Sequence, residues 1–283
     1  MAYEFNTITF KLKESGIGII TLNRPQKLNA ISFQMEEELH TLLDELKTNL
    51  DCRVLILRAE GKAFSAGTDL QEGLILNSKK TANSYKKFYF LDVPEPIKKK
   101  MYHQWRITDL ITKFRDLHQP IIALIQGVAA GGGFGFLLAS DIRIATKEAK
   151  FINASMNIGL TGGDMGSSYF LPRLIGMSRA AEILYTGRAI DGVEAEKIGL
   201  VSKVVEKEQL LEAGLELAEE MLSKSPLGLR LTKKAINLSL DAPSLHTILE
   251  FENSSIIVAF SSKDIAEASS AFFNKRKPHY PKK

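Results

Sequence analysis

An α/β fold with parallel strands, running into an all-helical C-terminal part, is what this chain of 283 residues predicts. Three observations carry the prediction. Short apolar runs at 17–22, 54–57, 121–125 and 142–145 suit strands buried on both faces. Helical patterns alternate with them, as in folds whose parallel strands are joined by helical crossovers. From about Asp191 onward the patterns turn almost wholly helical, through 207–222, 225–240, 244–260 and 263–275. The expected organisation is a core over 1–200 and a helical region over 201–283.

Taken in order, the N-terminal segment MAYEFNTITFKLKESG alternates apolar and polar residues as a strand does, and has no basic stretch followed by an apolar run. No signal peptide is expected. After the 17–22 strand, Ser32 can cap a helix whose Met35, Leu39, Leu42, Leu43, Leu46 and Leu50 form one apolar face. Residues 74–105 break the spacing with seven lysines, Pro94 and Pro96. This reads as a mobile, solvated, lysine-rich insertion, or more sharply as a lid, because Tyr85, Phe88, Tyr89, Phe90, Tyr102 and Trp105 exceed what a linker needs. A short apolar helix begins near Gly133, between the strands at 121–125 and 142–145.

Composition excludes several function classes. The balance of 37 basic against 33 acidic residues, a net +4, announces neither a nucleic-acid nor a membrane partner. No run approaches the roughly 18 apolar residues of a membrane span. Cys52 is the single cysteine, so no intrachain disulfide forms and a reducing, cytoplasmic setting is expected. Histidines 40, 103, 118, 246 and 279 show no paired metal spacing, and no metal site is expected. Ser167 and Ser168 do not sit in a Gly-x-Ser-x-Gly turn, so a serine triad is not indicated.

The most informative stretch is 126–136, QGVAAGGGFGF, which follows a strand and opens into an apolar helix. Glycines at a helix start leave amides without intrahelical partners and no Cβ to block a ligand, which makes an oxyanion site; tight packing alone is the competing reading. A P-loop is unsupported because no Gly-Lys-Ser/Thr follows, and the spacing is not G-x-G-x-x-G. A second glycine turn at 62–72, KAFSAGTDLQE, also follows an apolar strand. Neighbouring parallel strands deliver such turns to one sheet edge, where two converging amides form an oxyanion hole worth roughly 3 to 4 kcal/mol per donor.

These motifs resemble the crotonase superfamily, the enoyl-CoA hydratase/isomerase family. The resemblance runs through Asn23-Arg24-Pro25 with Leu28-Asn29-Ala30, Ala63 to Leu70, Gly127 to Gly133, Gly159-Leu160 and Leu171 to Gly176. It continues through Thr186-Gly187-Arg188, Ala195 to Val201 and Ala271 to Arg276, in collinear order over nearly the whole chain. It implies a spiral of ββα repeats with a C-terminal helical trimerisation region, acyl-CoA thioester substrates, no cofactor beyond coenzyme A as the substrate's carrier, and a homotrimer or hexamer. It places the oxyanion amides on Thr68 and Gly132. Lys27 and Leu28 fall where the family contacts the coenzyme, Ala66 and Asp69 flank the adenine pocket, and Phe272 and Lys275 match a pair that reaches a neighbouring subunit's ligand.

The departures shape the expected chemistry. The two glutamates of the family's hydratase type fall here on Gly135 and Ser155, neither a carboxylate. Between Pro120 and Arg173 the acidic residues are Asp141, Glu148 and Asp164. Asp164 precedes an apolar helix and could be its N-cap. The same motif position carries the acid/base of peroxisome-type Δ3,Δ2-enoyl-CoA isomerases, an acid of dienoyl-CoA isomerases and the nucleophile of chlorobenzoyl-CoA dehalogenases. A lone carboxylate suits removal and return of one proton across an oxyanion-stabilised dienolate, so double-bond isomerisation is expected. Hydration with one carboxylate, or through a water held by Ser155 and Asn157, is the alternative. Dehalogenation is disfavoured because the aromatic pocket position of those enzymes is Ser155. A catalytically silent acyl-CoA binder, or a protein whose lysine-rich insertion binds nucleic acid, forms the competing class; Asp164 argues against the first, and the absence of a regular basic face against the second.

Overall fold

The computed structural model describes residues 4–74 and 92–280. Its main sheet has six strands: β1 (Ile8–Leu12), β2 (Ile17–Leu22), β3 (Val54–Ala59), β4 (Ile121–Ile125), β6 (Ile142–Thr146) and β9 (Lys203–Val205), side by side in that order. Within this sheet only β1 pairs antiparallel, and every other pair is parallel. A second sheet holds β5 (Val128–Ala130), β7 (Lys150–Ile152) and β8 (Ala189–Asp191).

The chain alternates between these sheets. It runs from β4 into β5 and then α4 (Gly132–Ala139), and from β6 into β7 and then α5 (Ser167–Ile175). Earlier turns do the same with single bridges: Ile31 pairs Thr68, and Ser65 pairs Ala129. Each turn is thus two extended segments and a helix, stacked on the turn before it, which is the ββα spiral that the motif resemblance implies. The first helix, α1 (Phe33–Leu46), is capped by Ser32, whose side chain accepts the Met35 amide at 3.2 Å.

Strand alternation sorts the core into two layers. Leu55 and Leu57 face α1, α4 and α3 (Glu95–Asp116), while Val54 and Ile56, with Ile122, Leu124 and Ile144, face α8 (Leu210–Leu222). Gly214 lets α8 approach the sheet, since a Cβ there would lie 2.8 Å from Leu124 Cδ1.

Three expectations need correction. The apolar face of α1 stops at Leu46; Leu50 lies beyond the helix and is 44% exposed. The region after residue 200 is not purely helical, for it begins with β9, which completes the main sheet beside β6. Of the 74–105 segment, residues 75–91 lie outside the described residues, and from Glu95 onward it is the first half of the 22-residue α3, started at Pro94 with Pro96 in its first turn. There the apolar positions Ile107, Leu110, Ile111 and Phe114 recur at helical steps and are buried.

Candidate active site

Four successive turns of the spiral bring their second segments together in three pairings. In the first pairing, the Ile31 amide donates to Gly67 O at 2.8 Å and the Asp69 amide to Ile31 O at 2.9 Å, with Thr68 between them. In the next, the Ser65 amide donates to Val128 O and the Ala130 amide to Ser65 O. Then the Gly131 amide donates to Ile152 O at 3.1 Å. Gly67 has φ +92°, and a Cβ there would lie 2.9 Å from Ala130 O and 3.3 Å from the Gly132 nitrogen. The two glycine turns therefore meet. Neither the Thr68 amide nor the Gly132 amide finds an acceptor among the described residues. Gly132 opens α4, where the helix's own geometry leaves that N–H unused.

Around these turns, buried Asn29 ties the coil before α1 to the strand β3 end, accepting the Arg24 amide and donating to Glu60 O and Ala63 O. Leu28 and Asn29 both have positive φ, and Lys27 and Leu28 beside them are exposed. Arg24 is ion-paired with Asp69 at 3.3 Å and donates to Ala30 O. Ala66 is exposed beside them. Lys27, Leu28, Ala66 and Asp69 thus share one rim, although the Asp69 carboxylate is already engaged by Arg24 and by the Gln71 amide.

The loop carrying Asp164 is held from both sides. Buried Asn153, after β7, donates to Gly162 O at 2.9 Å, and Gly162 lies so near α6 (Met177–Thr186) that a Cβ would come 2.5 Å from Leu184 O. Met165 and Gly166 then take positive φ, +49° and +77°, turning the chain into α5. A methionine in that conformation is strained, and its side chain is pinned by packing: a Cβ on Gly135 would lie 2.6 Å from Met165 Cβ, and one on Gly132 would lie 3.7 Å from its Cε.

That geometry settles the capping question. The N-cap of α5 is Gly166 with no side-chain capping bond, so Asp164 lies two residues upstream and its side chain caps nothing. Its carboxylate accepts instead from Gln104 Nε2 at 2.7 Å and the Met165 amide at 2.8 Å, both on Oδ1, and from Ser155 Oγ at 3.3 Å on Oδ2. Ser155 is 7% exposed and Asp164 half-buried. Asp141 and Glu148 stand apart from it. Asp141 is paired with Arg115 and Lys233 and accepts the Ile121 amide, whereas Glu148 lies in the exposed turn before β7.

The sequence does not single out Gln104. Its signal was faint: it falls three residues before Ile107 and seven before Ile111, on the α3 face that packs towards Gly135 and Gly166. Phe272 and Lys275 belong to the end of α11 (Lys263–Phe273) and the turn after it, and no hydrogen bond or ion pair among the described residues joins either to Asp164. Phe272 is 78% exposed. A cavity of about 320 Å³ opens at the other end of α4, lined by Leu138, Phe170, Lys233 and Ile236 among others, and none of the site residues lines it. No group of three or more His, Cys, Asp or Glu side chains placed to hold a metal ion occurs among the described residues, and no described helix is long and apolar enough to cross a membrane.

Residues 12–283 match the family model described as enoyl-CoA hydratase/isomerase. The chain belongs to the enoyl-CoA hydratase/isomerase family. A Mycobacterium tuberculosis relative named "Probable enoyl-CoA hydratase EchA12" is 38% identical over 263 residues, 93% of this chain and 88% of its own. An enoyl-CoA hydratase structure from Bacillus anthracis superposes with TM-score 0.87 at 32% identity, covering 98% of this chain and all of that one. A monofunctional enoyl-CoA isomerase from M. smegmatis is 36% identical with TM-score 0.69, covering 86% of this chain and 98% of its own. This hydratase/isomerase family chain therefore resembles hydratase-named proteins over 93–98% of its length and an isomerase-named one over 86%.

Proposed function

We propose that the chain shifts the double bond of an enoyl-CoA thioester, with Asp164 as the acid/base and the Thr68 and Gly132 amides as the oxyanion hole. The observation that carries this reading is Asp164 itself: a half-buried carboxylate that caps no helix and is oriented by three donors. Both positions of the hydratase glutamates lack a carboxylate, and at Gly135 the space is filled by Met165 and Ile111. In the proposed step, Asp164 takes the α-proton of a 3-enoyl thioester. The electrons of that C–H bond pass into a dienolate whose negative charge rests on the thioester oxygen, facing the two free amides. The same carboxyl returns the proton to the γ-carbon, leaving the double bond between the α- and β-carbons.

Lys27, Leu28, Ala66 and Asp69 would line the coenzyme's approach, and Ser155 the acyl pocket. Phe272 and Lys275 would serve a neighbouring subunit in a homotrimer or hexamer. The exposed apolar side chains Leu249, Ile256, Val258 and Phe260 of α10 (Leu245–Phe260), a helix with no buried residue, support such assembly. Hydration is the second reading, favoured by the names of several relatives and by the Ser155–Asp164 pair, which could hold a water. Turnover of a small acyl-CoA panel followed by mass separates the two: isomerisation leaves the mass unchanged in ordinary water and incorporates deuterium in heavy water, while hydration adds about 18 Da. No turnover of any enoyl-CoA would refute both and leave a binding protein.

A further inference from the structure

The three donors on Asp164 are distributed unequally. Oδ1 accepts two bonds of ordinary length, from Gln104 Nε2 at 2.7 Å and from the Met165 amide at 2.8 Å, whereas Oδ2 accepts one long bond from Ser155 Oγ at 3.3 Å. A carboxylate oxygen offers about two in-plane lone-pair directions, so Oδ1 is filled and Oδ2 keeps one open. We infer that Gln104 is a positioning residue: together with the Met165 amide it anchors Oδ1 and leaves Oδ2 as the oxygen that carries the proton. This rests on the reading of Asp164 as the acid/base.

The anchor is built to hold. Gln104 lies on α3 two residues before Arg106, which is ion-paired with Glu36 at 2.8 Å and Glu37 at 2.7 Å on α1, and His40 Nε2 contacts Arg106 O at 3.0 Å. Three residues after Gln104, Ile107 is buried, and Ile111 packs where a Cβ on Gly135 or Gly166 would meet it at 3.3 or 3.4 Å. The helix is therefore tied to α1 on one side and to the Asp164 loop on the other. The amide head of Gln104 is the polar group it contributes to the carboxylate. A donor that fixes one oxygen removes the rotation by which the two oxygens exchange, so the proton-bearing oxygen keeps one direction between removal and return.

Gln104 is exposed, so its replacement leaves the fold intact, and two variants of opposite character test the assignment. Gln104→Leu removes the donor. Gln104→Glu keeps the side chain's shape but sets an acceptor and a like charge against Asp164. If Gln104 only fills space, Glu is the milder change. If it anchors Oδ1, Glu is the harsher one. With trans-3-hexenoyl-CoA at pH 8, kcat is expected to fall about tenfold in the Leu variant and further in the Glu variant, with KM within a few-fold of wild type in both. A Glu variant with wild-type kcat, or one more active than the Leu variant, overturns the inference while leaving the acid/base reading standing. Asp164→Asn measured alongside separates the two failures: retained α-deuterium exchange there removes the acid/base reading and this inference with it.

Discussion

Gly135 and Met165 are in contact across the site: a Cβ on the glycine would lie 2.6 Å from the methionine's Cβ and 3.0 Å from its carbonyl oxygen. Met165 itself is held at φ +49°, directly after Asp164, so the missing side chain at 135 is part of what seats the carboxylate. Met165 Cβ and its carbonyl oxygen move only with the backbone, which makes the contact hard to relieve. Gly135→Ala is expected to lower stability by about 1–3 kcal/mol, the usual scale of overpacking. Gly135→Glu is expected to do the same without adding hydratase activity. Thermal melts and water-addition assays check both, and an unshifted melting temperature would contradict the packing argument.

Asp164→Asn keeps the size and the acceptor on one oxygen but cannot take a proton. A loss of about 100-fold or more in kcat is expected, the scale of general acid/base groups, with acyl-CoA affinity within a few-fold. Asp164→Ala is expected to lose the same activity without the ~1 kcal/mol penalty of a lost helix cap, since Gly166 is the cap residue of α5. A destabilisation of that size in the alanine variant would restore a structural role for the side chain.

Gly67→Ala places a methyl group 2.9 Å from Ala130 O, at a φ of +92° that L residues avoid. The strain falls between Thr68 and Gly132, so both proposed oxyanion amides should shift. Stability is expected to drop by about 1–3 kcal/mol and turnover by a larger factor than the loss of folded protein explains. Activity per folded molecule equal to wild type would argue that these amides do not serve the reaction.

Glu36, 5% exposed, has its carboxyl pushed up to about 7 by burial, with the charge and hydrogen bond of Arg106 offsetting only part of that and the Glu37 charge adding to it. The ordinary value is 4.5. Between roughly pH 4.5 and 7 the folded carboxyl holds a proton that the unfolded chain has released, so this group's contribution to stability falls as pH rises through that window and is least favourable above it. Glu36→Gln is neutral at every pH, and Arg106 keeps its pairing with Glu37. The variant should therefore melt higher relative to wild type at pH 8 than at pH 5. An equal difference at both values would rule out the buried ionised carboxylate as a liability.

Deletion after residue 262 removes α11, with exposed Phe272 and Phe273, and with Asp264, which accepts from Ser225 Oγ at 2.6 Å and the Leu227 amide at 3.2 Å. Assembly mass by native mass spectrometry and acyl-CoA affinity are expected to fall together. If both stay unchanged, the C-terminal helix contributes neither to assembly nor to the ligand site.

The sequence by itself determined the fold class, the parallel pairing of the principal strands and the family, because those depend on local periodicity and on glycines whose backbone demands are local. It also isolated Asp164 from Asp141 and Glu148, for the same reason: the motif around it is contiguous. What it left open needed distance in space. The strands β5, β7, β8 and β9 are three residues each, too short for an alternating pattern, and exist because neighbouring turns of the spiral supply their partners. The reading of 74–105 as an insertion gave way, from Glu95 onward, to a helix whose apolar face becomes legible only once Ile107 and Ile111 have something to pack against. Whether Asp164 capped α5 turned on two positive φ angles, at Met165 and Gly166, which move the helix start past it. Gln104 reaches that carboxylate from 60 residues away, a contact that only the packing of α3 against α4 creates, because hydrogen bonds between side chains leave no periodic trace along the chain.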